Sequence, residues 1–243
     1  MTHDRTALVT GGSTGIGIAI CRALLDSGYH VIALSRREAG LRSPRLQWVA
    51  VDLTDPQQTR GVARDLAGRA NITTLVHNAG AVRENLLADT SIEDLTALTN
   101  LHLAAPITLL QACLPAMRAA HYGRVVMIAS RAMLGLAKRS AYSATKAGMV
   151  GLARTWALEL GPQGITVNVV APGPIEETEM FEAVMGDDIE RRARLAASIP
   201  VRRLGNPVDV ARAVSFFVEP AADFITGQTL LVCGGSSVGS LTL

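Results

Sequence analysis

The stretch A-L-V-T-G-G-S-T-G-I-G-I-A-I, residues 7–20, joins a short apolar run to a helical segment through a glycine-rich turn. Glycines at positions 11, 15 and 17 allow a tight turn and a close approach of the backbone to a pyrophosphate. The free N–H groups and positive dipole of the following helix start favour such phosphates. Similar turns also occur merely to pack a helix on a strand, but the position between first strand and first helix favours nucleotide binding.

Beyond this turn, short apolar runs alternate with longer helical segments. The expected strands are 7–10, 30–34, 46–51, 74–77, 124–129, 165–171 and 229–232, and the expected helices lie near 15–28, 56–70, 91–119, 140–161 and 207–218. Most strands are apolar on both faces, as a parallel sheet covered by helices requires. No internal repeat or Pro/Gly-rich linker divides the sequence. We therefore expect a single α/β domain over residues 1–243, a Rossmann-type doubly wound parallel sheet of about seven strands with helices on both faces.

The third helix carries two local patterns. T-S-I-E at 90–93 predicts a capping box at its start. Pro106 lies inside the same helix and predicts a bend or the loss of one backbone hydrogen bond.

Residues 174–199 break the alternation of strands and helices. They are charged, yet apolar side chains recur at roughly helical spacing, namely Met180, Phe181, Val184, Met185 and Leu195. The segment is either a solvated amphipathic excursion or a mobile lid over a site at the carboxyl ends of the strands. We expect the lid.

The composition limits the classes of partner and site. The chain is 49% apolar, 18% charged and 4% aromatic, with a formal net charge of +2. This charge balance, without a concentrated basic tract, does not indicate a nucleic-acid-binding protein. The N-terminus lacks the apolar stretch of a signal peptide, and no uncharged apolar run approaches the roughly 20 residues of a membrane span, so no membrane is expected as a partner. Cys21, Cys113 and Cys233 are read as reduced core thiols of a cytoplasmic protein, and the five scattered histidines suggest no metal site.

Tyr142 and Lys146 stand four residues apart in S-A-Y-S-A-T-K, residues 140–146, so both side chains leave a helix from the same face. Lys138 and Lys146 are the two lysines among 23 basic residues. A compact, titratable ammonium has therefore been placed here in a chain that otherwise uses arginine. A free phenol has a pKa of about 10, and a cationic Lys146 one turn away is expected to lower it toward a useful acid–base range.

Further motifs follow the glycine turn in order. They are V-D-L at 51–53, H-N-A-G at 77–80, Asn100, Ser130, Y-S-A-T-K at 142–146 and N-V-V-A-P-G-P-I at 168–175. With the G-x-x-x-G-x-G spacing at 11–17, they make the sequence resemble the short-chain dehydrogenase/reductase family over essentially its whole length. Within the family it is most similar to the 3-oxoacyl carrier-protein reductase branch.

The resemblance implies a catalytic tetrad of Asn100, Ser130, Tyr142 and Lys146. In this arrangement Ser130 holds the substrate oxygen and Tyr142 donates the proton as hydride reaches the carbon. Asn100 positions a water that joins Lys146 to solvent.

The resemblance also implies a set of cofactor contacts. They are Gly11, Ser13, Thr14, Gly15, Ile16 and Gly17 in the glycine turn, Ser35 and Arg36 after the second strand, Asp52 near adenine with its neighbour Leu53, Asn78, Ala79 and Gly80 behind the adenosine ribose, and Pro172, Gly173 and Ile175 at the nicotinamide, together with Tyr142 and Lys146. Asn168 is expected to be structural, satisfying nearby backbone groups.

The sequence departs from the family pattern in three places. His77 stands where the family usually has asparagine, and we interpret it as structural. Ser130 and Tyr142 are twelve residues apart, one fewer than in many members, which indicates a tighter substrate loop. One extra residue precedes Thr178, which leaves open its usual contact with the carboxamide.

Residues 34–37, L-S-R-R, predict a preference for NADP(H), with NAD(H) as the alternative. A carboxylate at the end of the second strand would repel a 2′-phosphate, but Ser35 stands there. Arg36 offers charge-assisted bonds to the phosphate and Arg37 adds positive field. Thr14 points the other way, because its position is often basic in NADP-dependent members.

We expect an oxidoreductase that interconverts a ketone and a secondary alcohol. The resemblance favours an acyl-thioester substrate, and a small ketone, sugar or cyclic alcohol is the alternative. Members that act on carrier proteins dock them through arginines at the mouth of the site; Arg124 matches one of these, while Gln163 stands where another is expected. A non-catalytic nucleotide-binding regulator is the rival of another class, and the intact tetrad argues against it.

The resemblance further implies a homotetramer. Two local features agree with it: Ala147, Val150, Gly151 and Leu152 on the 140–161 helix, and the apolar C-terminal S-V-G-S-L-T-L. Symmetric burial of these surfaces would account for both.

Overall fold

Seven parallel strands form one sheet at the centre of the protein. The computed structural model describes residues 5–67 and 71–238. The strands are Thr6–Thr10 (β1), His30–Ser35 (β2), Leu46–Ala50 (β3), Ile72–His77 (β4), Gly123–Ile128 (β5), Ile165–Pro172 (β6) and Thr229–Val232 (β7). Their order across the sheet is β3-β2-β1-β4-β5-β6-β7. The expected strands are confirmed to within two residues at either end, because runs that are apolar on both faces are buried on both faces.

Eight α-helices connect and cover these strands. They are Gly15–Asp26 (α1), Pro56–Ala67 (α2), Ile92–Thr99 (α3), Ala105–Ala120 (α4), Ser140–Leu160 (α5), Glu179–Met185 (α6), Ile189–Ser198 (α7) and Pro207–Val218 (α8) within the described residues. Buried side chains of α1 and α8 form the core on one face of the sheet, and those of α2, α4 and α5 form the core on the other. The doubly wound α/β fold is therefore confirmed. The last three residues of the expected 56–70 helix, and the chain beyond Val238, lie outside the described residues.

The sheet reverses its winding beside β1, which pairs with β2 on one side and with β4 on the other. In open parallel sheets a crevice forms at such a point, outside the carboxyl ends of the strands. The fold therefore places the end of the glycine turn, the end of β4 and the end of β5 around one opening.

The long third helix differs from its expectation in two details. Ser91, and not Thr90, is the N-cap of α3, and its side chain accepts a hydrogen bond from the Asp94 N–H. The capping box expected at 90–93 is therefore wrong by one residue. Residues Asn100–Ala104 form a π-helical turn between α3 and α4, closed by the Ala105 N–H donating to the Asn100 carbonyl. Pro106 falls in the first turn of α4, where its missing N–H costs little.

The continuous helical stretch Ile92–Ala120 is long and apolar enough, by length and composition, to cross a membrane, contrary to the expectation that no run of the sequence would be. However, 44% of its most apolar window is buried inside the protein, and the buried side chains of α4 belong to the core beneath the sheet. These are the properties of a core helix of an α/β domain.

Two buried polar side chains in the sheet have structural roles, as expected. Asn168 on β6 donates to the Ile225 carbonyl at 2.8 Å and accepts from the Gln228 N–H at 3.1 Å. His77 ends β4, with Nδ1 3.0 Å from the Thr10 hydroxyl and Nε2 3.0 Å from the Leu101 carbonyl. His77 thereby ties β1 and β4 to the π-helical turn.

Candidate active site

A cavity of about 640 Å³ opens at the carboxyl ends of the strands. Every cofactor residue expected from the sequence lines it: Gly11, Ser13, Thr14, Gly15, Ile16, Gly17, Ser35, Arg36, Asp52, Leu53, Asn78, Ala79, Gly80, Tyr142, Lys146, Pro172, Gly173 and Ile175. Ser130 lines it as well, whereas Asn100 does not. The fold therefore brings together three of the four expected tetrad residues around the same opening.

The glycine turn is packed too tightly for side chains. A Cβ added to Gly17 would lie 1.8 Å from the Gly11 carbonyl oxygen, and one added to Gly11 would lie 2.9 Å from the Ala79 Cα. Thr14, the N-cap of α1, makes no side-chain capping bond. The first-turn N–H groups of α1, at Gly15, Ile16 and Gly17, therefore remain available to a ligand. A cradle of bare backbone at a helix N-terminus fits the pyrophosphate of a dinucleotide.

The end of β2 offers positive charge and no carboxylate. The Ser35 hydroxyl is engaged within the chain, donating to the Arg37 carbonyl at 2.6 Å and accepting from the Trp48 indole N–H at 2.9 Å. Arg36 is exposed at the cavity wall. Arg37 forms a 2.6 Å ion pair with Glu179 at the start of α6. This end of the cavity suits a 2′-phosphate better than a bare ribose diol.

Asn78 and Thr10 support the cavity floor where β1 and β4 end. The Asn78 amide donates to the carbonyls of Thr10 and Gly11, at 3.2 and 3.1 Å. The Thr10 hydroxyl accepts from the backbone N–H groups of Asn78 and Ala79. These bonds hold the glycine turn against the H-N-A-G segment and keep both at the cavity.

Tyr142 and Lys146 lie one turn apart on α5, and both are buried. The Lys146 ammonium donates to the Ile128 carbonyl at 2.8 Å and lies 5.7 Å from the centroid of the Tyr142 ring. Ser130, at the end of the adjoining strand, accepts from the Ala132 N–H at 3.1 Å. A phenol, an ammonium and a serine hydroxyl therefore converge on one side of the cavity.

Burial dominates the ionisation of this cluster. It raises the pKa of Tyr142, although hydrogen bonding with Ser130 and the charge of Arg139 pull the other way. Burial also lowers the pKa of Lys146 to about 7. The expectation that Lys146 lowers the pKa of Tyr142 is therefore wrong: with only the chain's own groups present, burial dominates and the pKa is raised. Near neutral pH Tyr142 is a neutral phenol, which is the form that donates a proton.

The π-helical turn brings His102, rather than Asn100, to the catalytic cluster. The Asn100 amide donates instead to the Thr54 carbonyl at 3.5 Å. The His102 ring is edge-on to that of Tyr142, with centroids 5.7 Å apart. His102 Nε2 accepts from the Ala81 N–H at 3.3 Å, so Nδ1 carries the proton and faces the Thr145 hydroxyl at 2.9 Å. In the sequence His102 is one of five scattered histidines. Its position two residues after Asn100 is the feature that could have indicated a place in the site.

Arg124 does not offer a docking charge at the mouth of the site. It lies at the amino end of β5, is 2% exposed, and bonds the carbonyls of Gly123, Gly164, Glu219 and Pro220. Because the cavity opens at the opposite, carboxyl edge of the sheet, the expectation that Arg124 serves as a carrier-docking arginine is wrong. Gln163 instead accepts from Arg118 at the exposed surface.

Helices α6 and α7 form one wall of the cavity through Met180, Phe181, Val184, Met185 and Leu195. The Met180 sulfur lies 3.9 Å from the Tyr142 hydroxyl. Thr178 caps α6, accepting from the Phe181 N–H, and a Cβ added to Gly15 would lie 3.1 Å from its methyl group. The extra residue before Thr178 is accommodated in a turn where Glu177 has a φ of +57°.

The remaining wall contains residues that sequence reasoning missed. Val82, Arg83, Arg131, Leu136 and Arg139 line the cavity near Tyr142. Arg139 stands three residues before Tyr142, and that spacing was the available signal. The arrangement as a whole can hold a dinucleotide along the glycine turn and deliver a proton from Tyr142 beside its far end.

Comparison with known proteins agrees with this geometry. A family model described as enoyl-(acyl carrier protein) reductase matches residues 11–237. The 3-oxoacyl-(acyl-carrier-protein) reductase of Vibrio cholerae is 36% identical over 241 residues, covering 96% of this chain and 97% of the relative. Subunit BbsC of (2S)-((R)-hydroxy(phenyl)methyl)succinyl-CoA dehydrogenase from Thauera aromatica is 36% identical over 251 residues, covering 97% of this chain and 96% of the relative. A crystal structure of a variant actinorhodin polyketide ketoreductase with NADPH superposes with a TM-score of 0.88 at 31% identity, covering 96% of this chain and 97% of that one.

Proposed function

This chain belongs to the short-chain dehydrogenase/reductase family, and on that premise we propose that it reduces a small-molecule ketone to a secondary alcohol with Tyr142 as the proton donor. The observation that carries the proposal is the neutral Tyr142 phenol, buried at the end of the dinucleotide cavity beside Ser130 and Lys146. Oxidation of the alcohol is the same step run backwards, with Tyr142 accepting the proton.

The chain's own groups divide the chemistry among them. NADP(H), when bound, supplies or accepts the hydride. The Ser130 hydroxyl holds the substrate oxygen, and Tyr142 donates its proton to that oxygen as negative charge develops on it. Lys146 is held by the Ile128 carbonyl at 2.8 Å and bonds the nicotinamide ribose. The family resemblance implies a water between Asn100 and Lys146, but the Asn100 amide donates to the Thr54 carbonyl, so we assign Asn100 no step in the reaction.

NADP(H) is the preferred cofactor. Ser35 brings no charge to repel a 2′-phosphate, and Arg36 and Arg37 both line this end of the cavity. Three structures similar to this chain contain NADPH or NADP. A neutral serine beside two guanidinium groups favours the phosphorylated ribose, because charge-assisted bonds to phosphate are strong and directional.

Residues 174–199 act as a lid over the substrate end of the cavity. Support comes from α6 and α7, which lie over the site, and from Met180, which covers the Tyr142 hydroxyl at 3.9 Å. A substrate oxygen that reaches Tyr142 must displace this side chain. An exposed ion pair from Arg37 to Glu179 tethers the start of the lid, and such a pair is weak enough to open and close.

A small-molecule substrate suits the site better than one delivered by a carrier protein. The burial of Arg124 leaves its guanidinium unavailable for docking, and Gln163 brings no charge. The substrate end is lined by Arg83, Arg131 and Arg139 and by the apolar side chains of Val82, Leu136 and Met180. These apolar side chains favour a compact ketone that enters beneath the lid.

The protein works as a cytoplasmic homotetramer. The outward face of α5 supports this assembly with small exposed residues, Ala144, Ala147 and Gly151, followed by Leu158, which is 82% exposed. Small residues let helices of two subunits approach closely. Val150 and Leu152, by contrast, pack against the monomer's own core. Three buried free thiols are in keeping with a reducing compartment.

A panel of ketones and secondary alcohols tests the function, with NADPH, NADH and their oxidised forms followed by cofactor absorbance. We expect turnover of at least one ketone with NADPH. The variant Tyr142→Phe identifies activity that belongs to this site. Turnover that persists unchanged in the variant would contradict the proposal.

A further inference from the structure

Arg139 is a second charged group built into the wall of the catalytic cavity. It is the N-cap residue of α5, three residues before Tyr142, and its charge acts on the Tyr142 phenol by lowering the pKa, against the larger effect of burial. Its backbone is held on both sides, by a bridge to Asn85 and by the Ser143 N–H, which donates to the Arg139 carbonyl at 2.7 Å. Its side chain is only 11% exposed. The guanidinium is therefore positioned by the fold rather than free in solvent.

One end of this guanidinium lacks a partner. Nη2 forms an ion pair with Glu84, whereas Nη1 is buried and has no hydrogen-bond partner among the described residues. Burial lowers the pKa of Arg139, yet an arginine remains protonated at physiological pH. A buried charged donor without a partner is unfavourable, and native proteins usually satisfy such groups with water or a ligand.

The surroundings favour an anion at this donor. Arg83 and Arg131 line the same part of the cavity, and the carboxylate paired with Arg83 is Asp94, 3.1 Å from its Nε. Glu179, the acidic residue of the cavity wall on α6, is occupied by Arg37 at the adenosine end. The local field at Nη1 is therefore positive, although Glu84 neutralises part of the guanidinium charge.

We propose that Arg139 is the substrate-anchoring residue of the reductase function proposed above, and that its Nη1 binds a carboxylate carried by the substrate. The substrates are then oxo acids and the corresponding hydroxy acids. Since Arg139 and Tyr142 line the same cavity, the carboxylate would lie near the reacting carbon. A monoanion fits better than a phosphate, because Glu84 already occupies Nη2 and partly compensates the charge of the guanidinium.

The test compares acids with their own uncharged esters. The probes are 2-oxobutanoate, acetoacetate and levulinate, each beside its methyl ester, with NADPH as reductant. We expect wild type to prefer at least one acid to its ester. In Arg139→Gln, kcat/KM for that acid should fall by about 10- to 100-fold, as expected for losing a hydrogen bond between charged groups, while the ester changes by a few fold at most.

Two further variants separate anchoring from a structural role. Glu84→Gln frees Nη2 of Arg139 and should raise the ratio of kcat/KM for the acid to that for its ester. Arg139→Gln should lower the same ratio. A structural ion pair would instead give parallel losses in both variants, with acid and ester affected alike, and would overturn the inference. Arg212→Gln removes an exposed arginine from α8, away from the cavity, and should leave the acid-to-ester ratio as in wild type.

A binding measurement keeps the inference independent of turnover. Isothermal titration of the three acids into the protein with NADP bound should show binding of one of them in wild type and weaker binding in Arg139→Gln. If no ketone is reduced but this difference persists, the proposed reductase function fails and the anion site stands. If esters are reduced at least as well as acids, and the acids bind both proteins equally, Nη1 holds only water and the anion site is refuted.

Discussion

Tyr142 and Lys146 are both buried, and burial moves their pKa values in opposite directions. The phenol is held in its neutral form, and the ammonium has a pKa of about 7. A neutral phenol is a ready proton donor, and a lysine that titrates near neutrality responds readily to charge placed beside it. The fold therefore keeps Tyr142 protonated. The phenol loses its proton only when negative charge develops on the substrate oxygen during the reaction.

Replacing Tyr142 by phenylalanine tests its role as the proton donor. The ring and its packing remain, but the ionisable oxygen is lost. We expect turnover to fall by at least ~10²-fold, as is typical for the loss of a general acid, with cofactor affinity little changed. Steady-state rates and a cofactor titration measure the two effects. Tyr122→Phe, which removes a hydroxyl that bonds the Val218 carbonyl far from the cavity, is the matched control. Near-normal turnover of Tyr142→Phe would refute the mechanism.

The lowered pKa of His77 predicts that the folded protein loses stability in acid. Burial, together with the charge of Lys146, lowers its pKa from 6.5 to about 3. Between these values the unfolded chain binds a proton that the folded chain does not, so the free energy of unfolding falls as pH falls below 6.5. At pH 5 this loss is ~2 kcal/mol. The pKa of His102 is lowered for the same reason and adds a loss of the same sign.

Urea unfolding at pH 7 and pH 5, in wild type and in His77→Asn, measures this effect. Asparagine is the residue that the family usually has at this position, and it does not titrate. We expect the variant to lose less stability between the two pH values than wild type does, whatever its stability at pH 7. An equal loss in both proteins would show that His77 does not carry the acid sensitivity.

At the scale of elements, an ion pair joins the proposed lid to the loop after β2. Glu179 begins α6, and its carboxylate is bound to Arg37 at 2.6 Å, with both side chains more than half exposed. Arg37 also lines the end of the cavity that suits a 2′-phosphate. Glu179 and the phosphate therefore compete for one guanidinium.

Glu179→Gln removes the competitor. We expect KM for NADPH to fall by up to about fivefold, since an exposed ion pair contributes at most about 1 kcal/mol, while KM for NADH stays unchanged. Glu190→Gln disrupts an exposed pair with Arg194 in the same lid, outside the cavity lining, and is the matched control. A fall in KM for both cofactors would indicate a general loosening of the lid rather than competition for the phosphate.

At the same scale, Arg36 tests the cofactor preference. Wild type should show a higher kcat/KM with NADPH than with NADH. Arg36→Ala should reduce the ratio of these two values, because it weakens the binding of NADPH and leaves that of NADH unchanged. Equal or better use of NADH by wild type would show that the loop after β2 does not select the phosphorylated ribose.

At the scale of the whole molecule, the proposed assembly would use the helix that carries the catalytic pair. Its inner face carries Tyr142 and Lys146, and its outer face presents Ala147 and Gly151. A Cβ added to Gly151 meets nothing within 4 Å among the described residues, so the space beside it could receive another subunit. Packing of α5 between subunits would then fix the helix that holds the catalytic pair.

Gly151→Phe tests this assembly by light scattering. Wild type should have about four times the 25.6 kDa chain mass, and the variant should have a smaller mass, because the new ring fits the monomer but not a close helix–helix contact. Gly61→Phe on α2, where an added Cβ also meets nothing within 4 Å, is the matched control and should keep the wild-type mass. A 25.6 kDa species for wild type at micromolar concentration would refute the tetramer.

The sequence alone determined the parts of this protein that depend on neighbours along the chain. The runs of apolar residues predicted all seven strands. The glycine turn, the Tyr142–Lys146 spacing and the absence of a carboxylate at Ser35 located residues that the fold brings to one cavity. Each of these features acts over a few residues, where periodicity and backbone sterics leave few alternatives.

Only the tertiary structure decided what depends on burial and on partners distant in sequence. It buried Arg124 at the wrong edge of the sheet for docking, turned the amide of Asn100 toward Thr54, and set His102 beside Tyr142. It also reversed the expected shift of the Tyr142 pKa and buried the Nη1 of Arg139 without a hydrogen-bond partner among the described residues. The physical reason is that desolvation and hydrogen-bond partners are set by packing between separate elements, and no local pattern encodes which groups that packing removes from water.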